Sequence, residues 1–243
     1  MWLIHVRIRD ASIVDYAWAP GFALIAAVSA VLNGAATAHQ LVVLGLVCLW
    51  SARLTWYLVG RHLRAGVEDS RYAAMRAEAG PGWWWQNLFM VFLLQGVLQW
   101  AIATPIHAAM LAAPGSGNGL AFWGGVAAFG IGLAIEAVAD GQLAAFKRDP
   151  GNAGKLMTTG LWRLSRHPNY FGEIVLWWGL GFAAIGAGGD WWALAGPALL
   201  TLLILRVSGV TLLDRHMSTR PGWAAYAART PALVPGWPRR PAG

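Results

Sequence analysis

Six apolar stretches, at about 13–32, 40–60, 86–111, 119–139, 170–187 and 191–211, decide what this chain can become. Most approach or exceed the roughly 20 residues that a helix rising about 1.5 Å per residue needs to cross hydrocarbon about 30 Å thick. The expectation is an all-α, polytopic transmembrane helical bundle of about six spans, organised as a single domain over 1–243. Pro105 lies inside the third stretch, the longest, and predicts a tilt or kink there. Composition agrees. Hydrophobic residues make up 57% and charged residues only 12%, where soluble domains carry about 25% charged residues. Sixteen Trp and thirty Gly fit a chain that lives in and beside a bilayer.

The connections sort by charge. The first, third and fifth, "NGAATAH", "APGSGNG" and "GAGGD", hold no Lys or Arg. The N-terminus has Arg7 and Arg9, and the second connection has Arg61, Arg64, Arg71 and Arg76. The fourth has Lys147, Arg148, Lys155, Arg163 and Arg166, and the tail has Arg215, Arg220, Arg229, Arg239 and Arg240. This alternation predicts loops 60–85 and 140–169 and both termini on the cytoplasmic side, in a bacterial inner membrane. The net charge of +7 then reports cytoplasmic loops and anionic lipid rather than nucleic acid. The opening "MWLIHVRIRD" has too short an apolar core for a cleavable signal peptide. Cys48 is the single cysteine, which excludes a disulfide framework or a Cys metal site. Neither a Rossmann nor a Walker motif is present, and the glycines of "GSGNG" and "GAGGD" read as flexible turns. The six histidines show no paired ligand spacing, so no metal is expected.

Charge inside a span is expensive and marks functional candidates. Asp15, Arg53, Glu136, Asp140, Glu173 and Arg206 are those groups, all near the ends assigned to the cytosol. A polar cavity opening to that side accounts for them together. The plainer reading is interfacial snorkelling, which suits Arg206 and is open for Arg53. In "IEAVADGQLAAFKRD", Glu136, Asp140 and Lys147 stand close to one helical face. In "HPNYFGEIVLWWG", Pro168 suits a first helical position, and Asn169, Glu173 and Trp177 follow at steps of four. Carboxylates and amides bind ribose hydroxyls and a carboxamide, and cations such as Lys155, Arg163 and Arg166 bind phosphates. That combination suits a dinucleotide phosphate; an ion-pair cluster that only ties helices together is the alternative. His167 is read as a neutral group beside Arg166, open between a phosphate or ribose contact, a helix cap and a general acid. Asp15 is open between a buried acid and a structural bridge to Arg53. Trp18, Trp50 and Trp56 are candidates to line a slot for a lipophilic substrate entering from the bilayer.

At "TTGLWRLSRHPNYFGE" the chain resembles the steroid 5-alpha-reductase family, in its bacterial DUF1295 branch. "RDASIVDYAW" at 9–18, "RLTWYLVGRHLRAGVEDSRYAAMR" at 53–76, "EAVADGQLAAFK" at 136–147 and "RPGWAAYAARTPALVPGW" at 220–237 extend the resemblance over nearly the whole chain. It implies a membrane enzyme that binds NADPH from the cytosolic side and reduces an activated C=C bond, typically in a 3-oxo-4-ene steroid. Hydride would pass to the β carbon and a donor would polarise the carbonyl. Carried over by position, it implies that Asn169, Glu173 and Trp177 meet the nicotinamide half, in a cofactor-binding half at about 136–243. Asp140, Lys147, Arg163, Arg166 and His167 would hold ribose and phosphates, and Glu136 falls where animal members carry an asparagine. Arg215, His216, Tyr226 and Arg229 would close over the adenosine.

The family's acid maps to Asp15. Its tyrosine partner aligns near Trp50, so a hydroxyl from Tyr16 or Tyr57 is expected instead, with Arg53 nearby. The family usually has seven spans; here the first is either dropped or cut from the start. An "RHPxYxG" core also occurs in isoprenylcysteine and phospholipid methyltransferases, which bind S-adenosylmethionine. Asn169 and Glu173 favour the reductase, and the methyltransferase is the alternative. A transporter is disfavoured because the ionisable groups gather at one face without repeat symmetry. No obligate protein partner is expected.

Overall fold

The computed structural model describes residues 1–34, 37–65, 68–115, 117–207 and 209–238. Ala35, Ala36 and Ser116 of the uncharged loops, Gly66 and Val67 of the second connection, and Arg239 and Arg240 of the tail lie outside the described residues, as does the Arg64 side chain. The described residues are helical, with no strand among them. A short helix α1 (Trp2–Ile8) leads into α2 (Ile13–Leu32) and α3 (Ala38–Ala65). Next come α4 (Ser70–Ala79), α5 (Trp83–Asn87), α6 (Leu94–Ile102) and α7 (Thr104–Leu111). The long α8 (Gly119–Arg148) and α9 (Pro168–Gly186) follow, and α10 (Ala195–Leu202), α11 (Val210–Met217) and α12 (Trp223–Arg229) complete the order.

Four helices are long and apolar enough to cross a membrane: Ile13–Leu32, Ala38–Leu63, Gly119–Arg148 and Trp191–Met217. A fifth is added if Arg71–Ile102 and Thr104–Leu111, bent by 47° where they meet, form one span. The bend falls at Ala103, two residues before Pro105, which has no N–H to continue the preceding helix and stands in the first turn of the next one. Side chains such as Leu24, Val28, Leu49, Trp56, Phe89 and Met90 are exposed around the outside, which marks an integral membrane protein whose surface suits lipid. The fifth expected span, α9, is missing from that set because Asn169 and Glu173 in its first turns lower its mean hydropathy.

Glycines explain where α9 sits. Gly125 and Gly132 on α8 face Gly172, Gly179 and Gly186 on α9, in both helices at seven-residue steps. A Cβ on Gly132 would lie 2.6 Å from the Gly172 carbonyl oxygen, and one on Gly172 would lie 2.6 Å from the Glu136 nitrogen. The two backbones touch, running antiparallel from Gly125–Ala183 to Glu136–Gly172. Small residues allow this approach, and dispersion between the close-packed helices holds it. The same contact sets Glu136 and Glu173 side by side at one end. Gly132→Leu is expected to destabilise the protein by at least about 3 kcal/mol, since the obstructing atoms are backbone and cannot yield. Gly141→Ala on the same helix, where nothing lies within 4 Å of the added Cβ, should be neutral or slightly stabilising. Thermal melting in detergent compares them.

The main core joins Phe22, Trp50, Ile102, Phe122, Phe129, Leu176 and Trp177. A smaller cluster of Ala11, Val14, Tyr72, Trp83 and Val91 lies beneath α1 and α4. The basic connections meet at one end, where Ser12 Oγ accepts from the Asp69 amide at 2.8 Å and Arg53 reaches α8. The uncharged connections meet at the other, where Gln40 donates to Met110 and the Asn118 amide donates to Gly186.

Candidate functional site

Three nests of charge occupy the basic end. In the innermost, Arg53 comes from the middle of α3 and reaches across to α8. Its Nη1 donates to Glu136 Oε1 at 2.6 Å and its Nη2 to Asp140 Oδ2 at 2.5 Å. Asn169 Nδ2 of α9 donates to Asp140 Oδ1 at 3.2 Å. Glu173, one turn further along α9, stands close enough to Glu136 and Asp140 to repel both. No hydrogen bond or cation is paired with Glu173 among the described residues. The two stripes read from helical spacing therefore do face each other. Arg53 is no snorkelling side chain; its exposure is 19%, against 4% for each carboxylate it bridges. Glu136 Oε2 is buried without a hydrogen-bond partner, and so are the indole N–H groups of Trp50 and Trp177. A buried polar atom left unpaired costs about 1–3 kcal/mol and asks for a partner.

The second nest contains Asp15, in the first turn of α2. Tyr72 of α4 donates its hydroxyl to Asp15 Oδ1 at 2.7 Å, and Gln95 Nε2 donates to Tyr72 at 3.2 Å. Arg71 pairs with Asp15 at 3.1 Å and with Asp69 at 2.9 Å. Two expectations fall here. Asp15 does not bridge to Arg53, which is committed to α8. Its hydroxyl partner is neither Tyr16, whose ring lies against His62 at 4.9 Å, nor Tyr57, whose ring lies 5.7 Å from the Arg53 guanidinium. It is Tyr72, brought over by α4. Ala11 N–H donating to Glu68 and Arg76 donating to the Arg9 carbonyl fasten that connection down.

In the third nest, Asp214 of α11 holds both residues expected to grip phosphate: Arg166 at 2.6 Å and His167 Nε2 at 2.8 Å. Arg166 also donates to the carbonyls of Ala227 and Thr230. Arg166 and His167 thus tie the tail to the start of α9. The Tyr226 hydroxyl donates to the Trp162 carbonyl at 2.5 Å; burial pushes its phenol up to about 12, so it stays a donor. Arg215, His216 and Arg229 are exposed on α11 and α12.

Burial lowers the His167 pKa below its ordinary value despite the opposing pull of Asp214. A histidine whose folded pKa is depressed contributes stability that is present above the unfolded value of about 6.5 and is lost as pH falls through the folded one. Melting temperature in detergent should therefore drop on acidification from pH 7 to 5, and His167→Gln should flatten that drop.

Lys147, Lys155, Arg163, Arg61 and Arg220 are exposed, and none of them is paired with a carboxylate among the described residues. Arg61 at the end of α3 and Arg220 beyond α11 lie within electrostatic reach of Lys147. Arg61 and Arg220 near Lys147, Tyr72 on Asp15 and Asp214 on Arg166 are neighbours of the candidate residues that the sequence reading did not place there. For Arg61 a signal existed: Arg53, Tyr57 and Arg61 follow at steps of four.

The tryptophans divide differently from the expectation. Trp50 and Trp177 are 1% and 2% exposed and pack edge-on at 5.4 Å, with Phe22 against both. They are core, and only their N–H groups remain available. Trp18 packs half-buried on Phe22. Trp56, 84% exposed, borders a lateral groove of about 470 Å³ between α2 and α3, with Pro20, Cys48, Ser51 and Thr55. A second groove of about 400 Å³ near Trp100 and His107 lies toward the other end. Neither groove is lined by the carboxylates of the inner nest.

The chain is similar to "Uncharacterized protein C594.04c" of Schizosaccharomyces pombe, with 29% identity over 212 residues, covering 77% of this chain. It spans 60% of that relative's length. No solved structure matches. Residues 1–230 match the family described as "Protein of unknown function (DUF1295)", and the chain belongs to that family.

Proposed function

We propose that the protein is a membrane-embedded, NADPH-dependent reductase of an activated C=C bond in a lipophilic enone such as a 3-oxo-4-ene steroid, working from the cytosolic side of a bacterial inner membrane. The observation that carries this reading is the inner nest, where an unpaired Glu136 oxygen and unpaired indole N–H groups lie with Asn169 and Glu173 at the foot of a basic rim. Those atoms fit a carboxamide and ribose hydroxyls, and the free cations above them fit phosphates. The resemblance of "TTGLWRLSRHPNYFGE" to steroid 5-alpha-reductases adds to it.

In this reading Glu136, Asn169 and Glu173 hold the nicotinamide half, with Trp177 contributing only its N–H. Asp140 meets ribose, and Lys147, Arg163, Arg61 and Arg220 take the phosphates in place of Arg166 and His167. When bound, NADPH supplies hydride to the β carbon of the enone. The Tyr72–Asp15 pair donates a hydrogen bond to the substrate carbonyl and so stabilises the enolate, a contribution of several kcal/mol when the donor is preorganised in a dry site. A proton taken up at the α carbon completes the addition. Arg71, half exposed beside Asp15, keeps that pair within reach of protons from the basic end.

The surplus of carboxylates in the inner nest equally suits the sulfonium of S-adenosylmethionine, which keeps a methyltransferase as the second reading. Purified protein in detergent separates the two: NADPH should raise the melting temperature and S-adenosylmethionine should not. A panel of 3-oxo-4-ene steroids and shorter enones with NADPH, followed by mass spectrometry, should then give a product two mass units heavier. Stabilisation by S-adenosylmethionine alone would overturn the reductase.

A further inference from the structure

The inner nest does not balance. Glu136, Asp140 and Glu173 are three carboxylates around one guanidinium, Arg53, which pairs with only two of them. Glu136 is 3% exposed, and its second oxygen has no partner. Trp177, one turn beyond Glu173 on the same stripe, is 2% exposed and keeps an unpaired N–H. The other groups facing the nest are Arg61 from α3, Arg71 from α4, and Asn169 and Tyr170 from α9. Of these, Arg61 and Arg71 are exposed and screened by water, and Arg71 is already paired with Asp15 and Asp69. Surplus negative charge in a poorly hydrated place is costly and must be met by protons or by a cationic ligand. The carboxylates do not converge on one point as a metal site requires among the described residues, so the compensating charge belongs to an extended organic cation or to protons.

We infer that this acidic floor distinguishes the two redox states of the nicotinamide: it binds the oxidised, cationic ring more tightly than the reduced, neutral one, and releases a proton when it does so. The inference rests on the proposed function and adds a mode of regulation to it. The two forms of the cofactor carry the same phosphates, so the basic rim treats them alike, and the ring charge alone decides the difference. One unit of positive charge gained beside two or three carboxylates is attracted to them even where the effective dielectric is near 20, and the expulsion of protons offsets part of that attraction. The oxidised cofactor would then be a strong product inhibitor, and the protein would respond to the oxidised-to-reduced ratio of the nucleotide pool rather than to its total. The same floor would favour hydride departure, because the ring gains positive charge as the hydride leaves.

Isothermal titration of the full chain in nanodiscs tests this, with oxidised and with reduced nicotinamide adenine dinucleotide phosphate. Each titration is run at pH 6 and pH 8, in two buffers of different ionisation enthalpy, to count protons released. The expected result is about tenfold tighter binding of the oxidised form at pH 8. That preference should shrink at pH 6, where protons compete, and proton release should accompany the oxidised form only. Glu173→Gln should remove most of both the preference and the release. Equal affinities, or tighter binding of the reduced form, without proton release would overturn the charge selection and leave the reductase standing. If neither dinucleotide binds, or S-adenosylmethionine binds in their place, the function proposed above falls with it. The wild-type titrations decide the matter even if Glu173→Gln folds poorly.

Discussion

Arg53→Met lowers the stability of the folded protein by about 3–5 kcal/mol, the usual cost of removing one partner from a buried ion pair and leaving the other charge uncompensated. Arg53 is the only cation bonded to Glu136 and Asp140 among the described residues, so its loss strands two carboxylates that are each 4% exposed. Arg53→Lys should recover only part of the loss, since an ammonium cannot reach both acids with the planar fork of a guanidinium. The triple variant Arg53→Met, Glu136→Gln, Asp140→Asn should recover more, because the two carboxylates that Arg53 bridges are then neutral. Thermal melting in one detergent ranks the series. A near-native melting temperature for Arg53→Met alone would show that the nest is wetter than its burial indicates.

Tyr72→Phe is expected to reduce the turnover of an accepted enone by about 10²–10³-fold, the loss typical of removing one donor aimed at a developing oxyanion. The phenyl ring still fills the cluster of Val14, Trp83 and Val91, and Arg71 still neutralises Asp15, so melting should change little. Asp15→Leu should be at least as damaging to turnover, and Asp15→Asn should lie between, retaining a donor without the acid. The substrate KM should move less than kcat, since the contact strengthens as charge develops on the oxygen. Full turnover by Tyr72→Phe would transfer the donor role to another group, and full turnover by Asp15→Leu would end the acid's role altogether.

What could be read before any coordinates divides along physical lines. The helices were legible because their apolar lengths are a direct consequence of hydrocarbon thickness, and the kink because Pro105 lacks an N–H. The stripes Glu136–Asp140 and Asn169–Glu173–Trp177 were legible because the helical repeat is local and fixed. Their meeting was also foreseeable, since charge in lipid must find compensation. The fifth expected span, at 170–187, was read despite the polar groups that α9 carries in its first turns, where packing on α8 screens it from lipid. The glycine spacing that produces this screening was present in the sequence, but a seven-residue interval in one helix carries meaning only when a second helix answers it.

The partners of the charges were not legible. Asp15 and Tyr72 stand 57 residues apart, and nothing in either motif names the other; α4 folding back onto the start of α2 makes the pair. Asp214 holds Arg166 and His167 from α11 across 48 and 47 residues, a clasp for the tail that neither motif announces. Trp50 looks like a slot lining and Trp177 like a nicotinamide contact, and only packing against Phe22 makes them core.

By itself, then, the order of residues determined the class of fold, the end at which charge collects and the helical faces that carry it, since these follow from short-range repeats and from the dielectric cost of lipid. Which acid meets which base, which cations stay free and which aromatics are sealed inside were settled by the tertiary structure alone. A charge chooses its partner by distance in space, and the loops and helix contacts that bring distant segments together are not encoded in any local period.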